Sequence, residues 1–147
     1  RGYEGWRCMR VRVFDCWMHE LDVRDAVGRP ADSDDLVGPA SRQALDEMAA
    51  SMGFVVGKRG GAPDGARVRI ELTGPLAREI NVAVDGRGHV VPDFGGEEPT
   101  TTITLDALLF ARIAGGRVAP AALGTEIGYG GDEAVGRRIV DHLNYVI

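Results

Sequence analysis

Residues 67–91 read "RVRIELTGPLAREINVAVDGRGHVV", Arg67 to Val91, and their alternation decides the class of fold. Val68, Ile70 and Leu72 fall on one side of the first run, and a period of two predicts a half-buried strand. Ile80, Val82 and Val84 repeat the pattern, Asp85-Gly86 forms a turn, and a short strand returns. That is a hairpin signal. Downstream, "TTTITL" is a further β-prone run. It passes into "DALLFARIAGG", a helix carrying Leu108, Leu109, Arg112 and Ile113, with Thr104 as its N-cap and Gly115-Gly116 as its stop. "GTEIGYGGDE" gives a short strand and a glycine-rich turn. A last helix opens near Asp132 and buries Val135, Ile139, Leu143 and Val146.

Upstream the period changes. Phe14, Trp17, Met18 and Leu21 recur at i, i+3, i+4 and i+7, one apolar stripe on a helix from about Trp6 to Val27. Gly28 and Pro30 stop it. "ADSDD", Ala31 to Asp35, is a polar link. A second helix starts near Pro39, buries Leu45, Met48, Ala49 and Met52, and ends by Gly57. "GKRGGAPDGA" follows as an exposed loop. The order is helix, link, helix, three strands, strand, helix, strand, helix. Hairpin-joined strands and grouped helices predict α+β rather than repeating βαβ units.

At 147 residues the chain can bury one good core, or one domain and part of another. A formal charge of -5 and a pI near 5.2 argue against a nucleic-acid surface. No apolar run reaches the length of a membrane span, and no signal-peptide pattern is present, so the expected compartment is the cytoplasm. The chain opens on Arg1 rather than Met and enters a helical pattern almost at once, which reads as a piece of a longer protein.

Cys8 and Cys16 stand two turns apart on the first helix. Their Cα atoms are then roughly 12 Å apart, beyond the reach of about 7 Å of a disulfide, so both are expected as free thiols. Asp15 and His19 are i and i+4 on the same helix, and Asp22 continues their face away from the apolar stripe. Such a pair can share a divalent ion, form a carboxylate–imidazole contact, or simply be a solvated face. His19-Glu20 does not begin a zinc-protease motif, because position 23 is Val23. His89 and His142 share no spacing with His19. "GYGGDE" lacks the Lys-Ser/Thr of a phosphate loop and reads as a tight strand-to-helix turn. Arg112, Arg117, Arg137 and Arg138 could meet an anionic ligand or form a solvated face. No Ser/His/Asp or Cys/His arrangement can be assembled from spacing.

"RVRVFDCWMHELDVRDAVGRP", residues 10–30, resembles the last bundle helix of the mycothiol-dependent maleylpyruvate isomerase family of actinobacteria. "RIELTGP", "TTTITLDALLFARIAGGR" and "GDEAVGRRIVDHL" are similar to its C-terminal domain. The resemblance implies a DinB-like four-helix bundle followed by a domain of sterol-carrier-protein-like fold. That domain would be a sheet of about five strands with helices on one face. It implies the boundaries 1–30 for the last helix of an incomplete bundle, 31–38 for a linker and 39–147 for the α+β domain. It also implies a divalent metal, zinc above all, held by an earlier His and two residues one turn apart on the last helix. Asp15 and His19 occupy those two positions, and the third ligand is expected before Arg1. The family's isomerase has Glu where this chain has Asp15. Mycothiol is the implied cosubstrate, its thiol pKa lowered by the metal, and Arg117 is the implied contribution of the C-terminal domain to catalysis.

Two functions follow. One is the C-terminal part of a metal- and mycothiol-dependent isomerase or thiol transferase acting on a small molecule, inactive as this stretch alone. The other is a non-enzymatic domain that binds a small apolar ligand or another protein. A helix with the stripe Phe14, Trp17, Met18 and Leu21 should pack on the sheet domain or on a second copy, giving a homo-oligomer. No nucleic-acid or membrane partner is expected.

Overall fold

The computed structural model describes residues 2–145 and divides into two compact units, one ending at Met48 and one beginning at Ala49. The first unit carries helix α1 (Gly2–Ala26), the single turn α2 (Ser33–Leu36) and the start of α3 (Pro39–Phe54). Phe14, Trp17, Met18 and Leu21 are all buried, as their spacing predicts. The stripe is covered within a single copy of the chain, so it does not by itself call for a second. A second set on α1, Trp6, Met9, Val11 and Val23, stays exposed, as does Val27 just past its end. The link is more structured than its polarity suggests. Asp32 caps α2 by accepting from the backbone N–H groups of Asp34 and Asp35, each at 2.9 Å, and Asp35 returns the bond in a capping box. Arg24 joins α1 to this turn, reaching Glu20 at 3.0 Å and Asp35 at 2.8 Å. Arg10 and Glu47 make a second tie, α1 to α3, at 3.3 Å.

The second unit is a five-stranded mixed sheet with helices against one face. Its strands are β1 (Arg67–Thr73), β2 (Arg78–Asp85), β3 (Arg87–Val91), β4 (Thr101–Asp106) and β5 (Gly128–Gly131), in the order β3-β2-β1-β4-β5. Only β1 and β4 run parallel, with Ile70 opposite Ile103 and Thr73 opposite Asp106. The other pairs are antiparallel, including the hairpin that turns at Gly86. Val68, Ile70, Leu72, Val82, Ile103 and Leu105 point into the core, and the alternate positions of β1 and β4 carry polar side chains. Helix α4 (Ala107–Ala114) packs on β1 and β4, and α5 (Glu133–Asp141) packs on β4 and β5. Phe110, Ile113 and Ile139 are fully enclosed between helices and sheet. This is the expected α+β architecture, with helix before sheet.

Three readings change. The helix from Pro39 does not give way to an exposed loop at Gly57. After Phe54 it widens into a π-helical turn, Val55–Arg59, that buries Val55 and Val56, and Gly60, Ala62 and Ala66 are buried beyond it. The cause is packing. Arg138 of α5 donates to the carbonyls of Gly60 and Gly61 at 2.7 and 3.1 Å, which holds the segment down. At the same place the turn lies on β3 backbone to backbone: a Cβ on Gly88 would stand 2.2 Å from Gly53 O. The cap of α4 is Asp106, not Thr104, because β4 runs on to Asp106 before the chain turns. Thr104 instead points from the strand to Glu71, Oγ1 to Oε2 3.1 Å. Leu143 is buried as read but lies past the end of α5, and Val146 lies outside the described residues.

Candidate functional site

On α1 the side chains lean toward the helix N-terminus, so the His19 ring reaches back over the preceding turn. Its Nε2 stands 3.5 Å from Asp15 Oδ1. Its Nδ1 stands 3.5 Å from Asp22 Oδ2 in the following turn. The side chains are open to solvent, 66% exposed for His19, 52% for Asp15 and 37% for Asp22. The Asp15–His19 separation exceeds ordinary hydrogen-bond length. The Asp22 separation is the same, so both are ion-pair distances on an exposed helix face, wide enough for two ligands of one tetrahedral ion, which at bond lengths near 2.05 Å stand about 3.4 Å apart. The donor types also suit a borderline ion such as zinc: one carboxylate oxygen, one imidazole nitrogen. In number the set is short, since no three His, Cys, Asp or Glu side chains gather as a metal site among the described residues. Cys8 and Cys16 are free and exposed, as their spacing requires.

Arg117, in the other unit, follows the Gly115-Gly116 stop of α4. Its side chain folds back and donates from Nη1 to Gly115 O at 2.7 Å. Arg137 lies on Glu133 and over the Tyr129 ring, 4.7 Å from its centroid. Burial pushes the Tyr129 phenol above its ordinary value, against the pull of Arg137. On α1, the hydrogen bond to Glu20 raises the Arg24 guanidinium first, ahead of the Asp35 contribution. His142 ends α5 with Nδ1 against Arg138 O at 2.8 Å, and His89 lies on the edge strand β3, away from any second histidine in sequence. "GYGG" is β5 itself, and Asp132 after it caps α5 through Val135 N–H at 3.1 Å.

One feature had no signal in the sequence. Where β1 and β4 end together, a cavity of about 770 Å³ opens beside α4. Leu108 and Leu109 form one wall, Val118 and Leu123 another, and Asp106 and Arg112 supply polar groups. The α4 residues are legible, because Leu108, Leu109 and Arg112 share a face that the sheet does not bury. The opposite wall comes from an irregular segment with no periodicity to read.

Residues 42–138 match the family model described as the MDMPI C-terminal domain, that of maleylpyruvate isomerase. The chain belongs to this family. The MDMPI match takes in the whole of the cavity and Arg117, and α1 with Asp15 and His19 precedes it. No curated protein matches the chain. Among solved structures, a protein titled "UbiJ-SCP2 Ubiquinone synthesis protein" is similar at 14% identity and a TM-score of 0.43, over 77% of this chain and 97% of that one. Among the described residues no helix is long and apolar enough to cross a membrane.

Proposed function

We propose that this MDMPI C-terminal domain chain is the later part of a metal- and mycothiol-dependent isomerase or thiol transferase. In this reading residues 1–30 are the last helix of a DinB-like bundle, 31–38 the link, and 39–147 a sterol-carrier-protein-like domain. Asp15 and His19 are two of the metal ligands, and the third comes from a segment preceding Arg1. A divalent ion held there, zinc in the first instance, would lower the pKa of a bound thiol and supply a thiolate at neutral pH. Asp15 contributes negative charge and His19 a neutral nitrogen. Both sit on a rigid helix whose apolar stripe is buried, which fixes their spacing without a ligand. Arg117 is proposed as a cation for an anionic substrate, once its side chain leaves Gly115 O. The single observation that carries the reading is the placement of Asp15 and His19 one turn apart on the same face of α1, 3.5 Å between side chains, in a chain of this family. Metal analysis of the purified protein tests it. Asp15→Ala and His19→Ala should each lower bound zinc, and unchanged content in both would sink the proposal.

A second reading has its own support. The cavity walled by Leu108, Leu109, Val118 and Leu123 is of a size that takes a small apolar or amphiphilic ligand. On this reading the domain binds rather than catalyses. Native mass spectrometry with fatty acyl compounds should show a bound species that Leu109→Trp excludes. No bound species and no thermal shift would count against it.

A further inference from the structure

Gly53 and Gly57 stand four residues apart where α3 runs into the π-helical turn, and Phe54 and Lys58 make the column beside them. The glycine column lets the backbone of β3 lie against the helix. A Cβ on Gly53 would stand 2.7 Å from Gly88 O, and one on Gly57 would strike Gly88 N. The neighbouring column then rises as a wall, and a cavity of about 660 Å³ opens between it and β3. Phe54 is 53% exposed, with Lys58 Nζ 5.7 Å from its ring centroid. Arg87 and His89 flank Gly88 and line the same cavity. β3 is the outermost strand, so no further strand shields them from it.

The charge of this lining has one sign. Lys58, Arg87 and His89 contribute to it and no carboxylate does, in a chain of formal charge -5. Among the described residues no ion pair joins any of the three to a carboxylate, whereas Arg67 and Arg69 of the same sheet are taken up by Glu97 and Glu79. The acids of the adjoining turn lie outside the lining. Asp64 accepts from Gly86 N–H at 2.8 Å, and Asp85 closes β2. The last carbonyls of the π-helical segment, which would repel an anion, are covered by Arg138 at Gly60 and Gly61. We infer that this cavity is a binding site for a small aromatic carboxylate, its ring packed against Phe54 and its carboxylate between Lys58 and Arg87. Ring on ring favours a flat ligand, and an ammonium beside a guanidinium favours a carboxylate, which Arg can meet with two N–H groups. The volume lies in the range of small-molecule sites. The site is separate from the cavity beside α4 and does not depend on the metal reading.

Titration of the full chain with 1-naphthoate, followed by amide NMR and calorimetry, tests it. Inorganic phosphate supplies the charge without the ring, and benzyl alcohol the ring without the charge. Naphthoate should shift the Gly53, Gly57 and Gly88 amides saturably, and both controls should bind at least several-fold more weakly. Lys58→Gln and Arg87→Gln should each raise the Kd by about 2–5-fold, the worth of one exposed ion pair. Phe54→Ala should raise it by about 2–10-fold, the worth of an aromatic pair. All three side chains are exposed, so the melting temperature without ligand should not move. No saturable shift at these glycines, or shifts confined to the cavity beside α4, would overturn the inference. So would naphthoate affinity unchanged in Lys58→Gln and Arg87→Gln. Phosphate binding as tightly as naphthoate would remove the ring from the proposal, and benzyl alcohol doing so would remove the charge; either result defeats it.

Discussion

Gly74, just past β1, lies against Asp106 at the end of β4, and a double-mutant cycle on them gives a number. Gly74 has φ +89°, a backbone state that a side chain strains, and the Cβ of an alanine there would stand 2.6 Å from Asp106 Oδ2. The other oxygen of the same carboxylate holds the first turn of α4, accepting from Leu108 N–H at 2.9 Å and Leu109 N–H at 3.0 Å. Gly74→Ala therefore acts twice. The left-handed backbone costs about 1–2 kcal/mol. Displacing the capping carboxylate costs about 1 kcal/mol more, the usual value of an N-cap. The sum, about 2–3 kcal/mol, lowers a urea midpoint by roughly 1–2 M at a slope near 1.5 kcal/mol/M. In an Asp106→Ala background the clash and the cap are both gone, so Gly74→Ala should cost only the backbone strain. The coupling energy is then about 1 kcal/mol. Far-UV circular dichroism is the right signal, because both tryptophans, Trp6 and Trp17, lie in α1 and report that helix instead. Strictly additive costs would refute the claim that Gly74 is glycine to make room for the cap.

Other outcomes follow from the same packing and charge. Phe110→Ala empties a fully buried site and should lower stability by about 3–5 kcal/mol by urea unfolding. Asp132→Ala removes the cap at Val135 N–H and should lower stability by about 1 kcal/mol, with helix content at α5 falling in hydrogen exchange. The Tyr129 phenol is raised in the folded state, so its contribution is fully present below its ordinary pKa near 10.0 and is lost as pH rises beyond it. Stability measured from pH 9 to 11, a range of about two units around that value, should fall less steeply in Tyr129→Phe than in the wild type.

The strands were legible because one face of the sheet is buried and the other is polar, so Val68, Ile70 and Leu72 alternate cleanly with charges. The hairpin was legible because Asp85-Gly86 is a strong turn signal and Gly86 does take a positive φ of 66°. The cap of α4 was misplaced by two residues, since both Thr104 and Asp106 can cap and only strand length separates them. The π-helical turn and α2 were invisible because neither is long enough to show a period. At the candidate site, spacing alone placed Asp15, His19 and Asp22 on one face of α1. It could not say which ring nitrogen each carboxylate meets, because that depends on side-chain direction. The bond from Arg24 to Asp35 depends on the folded link, which no spacing along α1 reveals. The cavity needed the irregular segment opposite α4, and no pattern in sequence describes such a wall.

The most direct test is a Zn²⁺ titration of the protein carrying the segment that precedes Arg1, followed by the His19 ring signals in NMR. His89 and His142 serve as internal controls. The account predicts a saturable shift of the His19 ring with Zn²⁺ on Nε2, at a lower Zn²⁺ concentration in the wild type than in Asp15→Ala. A His19 ring that Zn²⁺ leaves unmoved, or one that responds identically without Asp15, would contradict it.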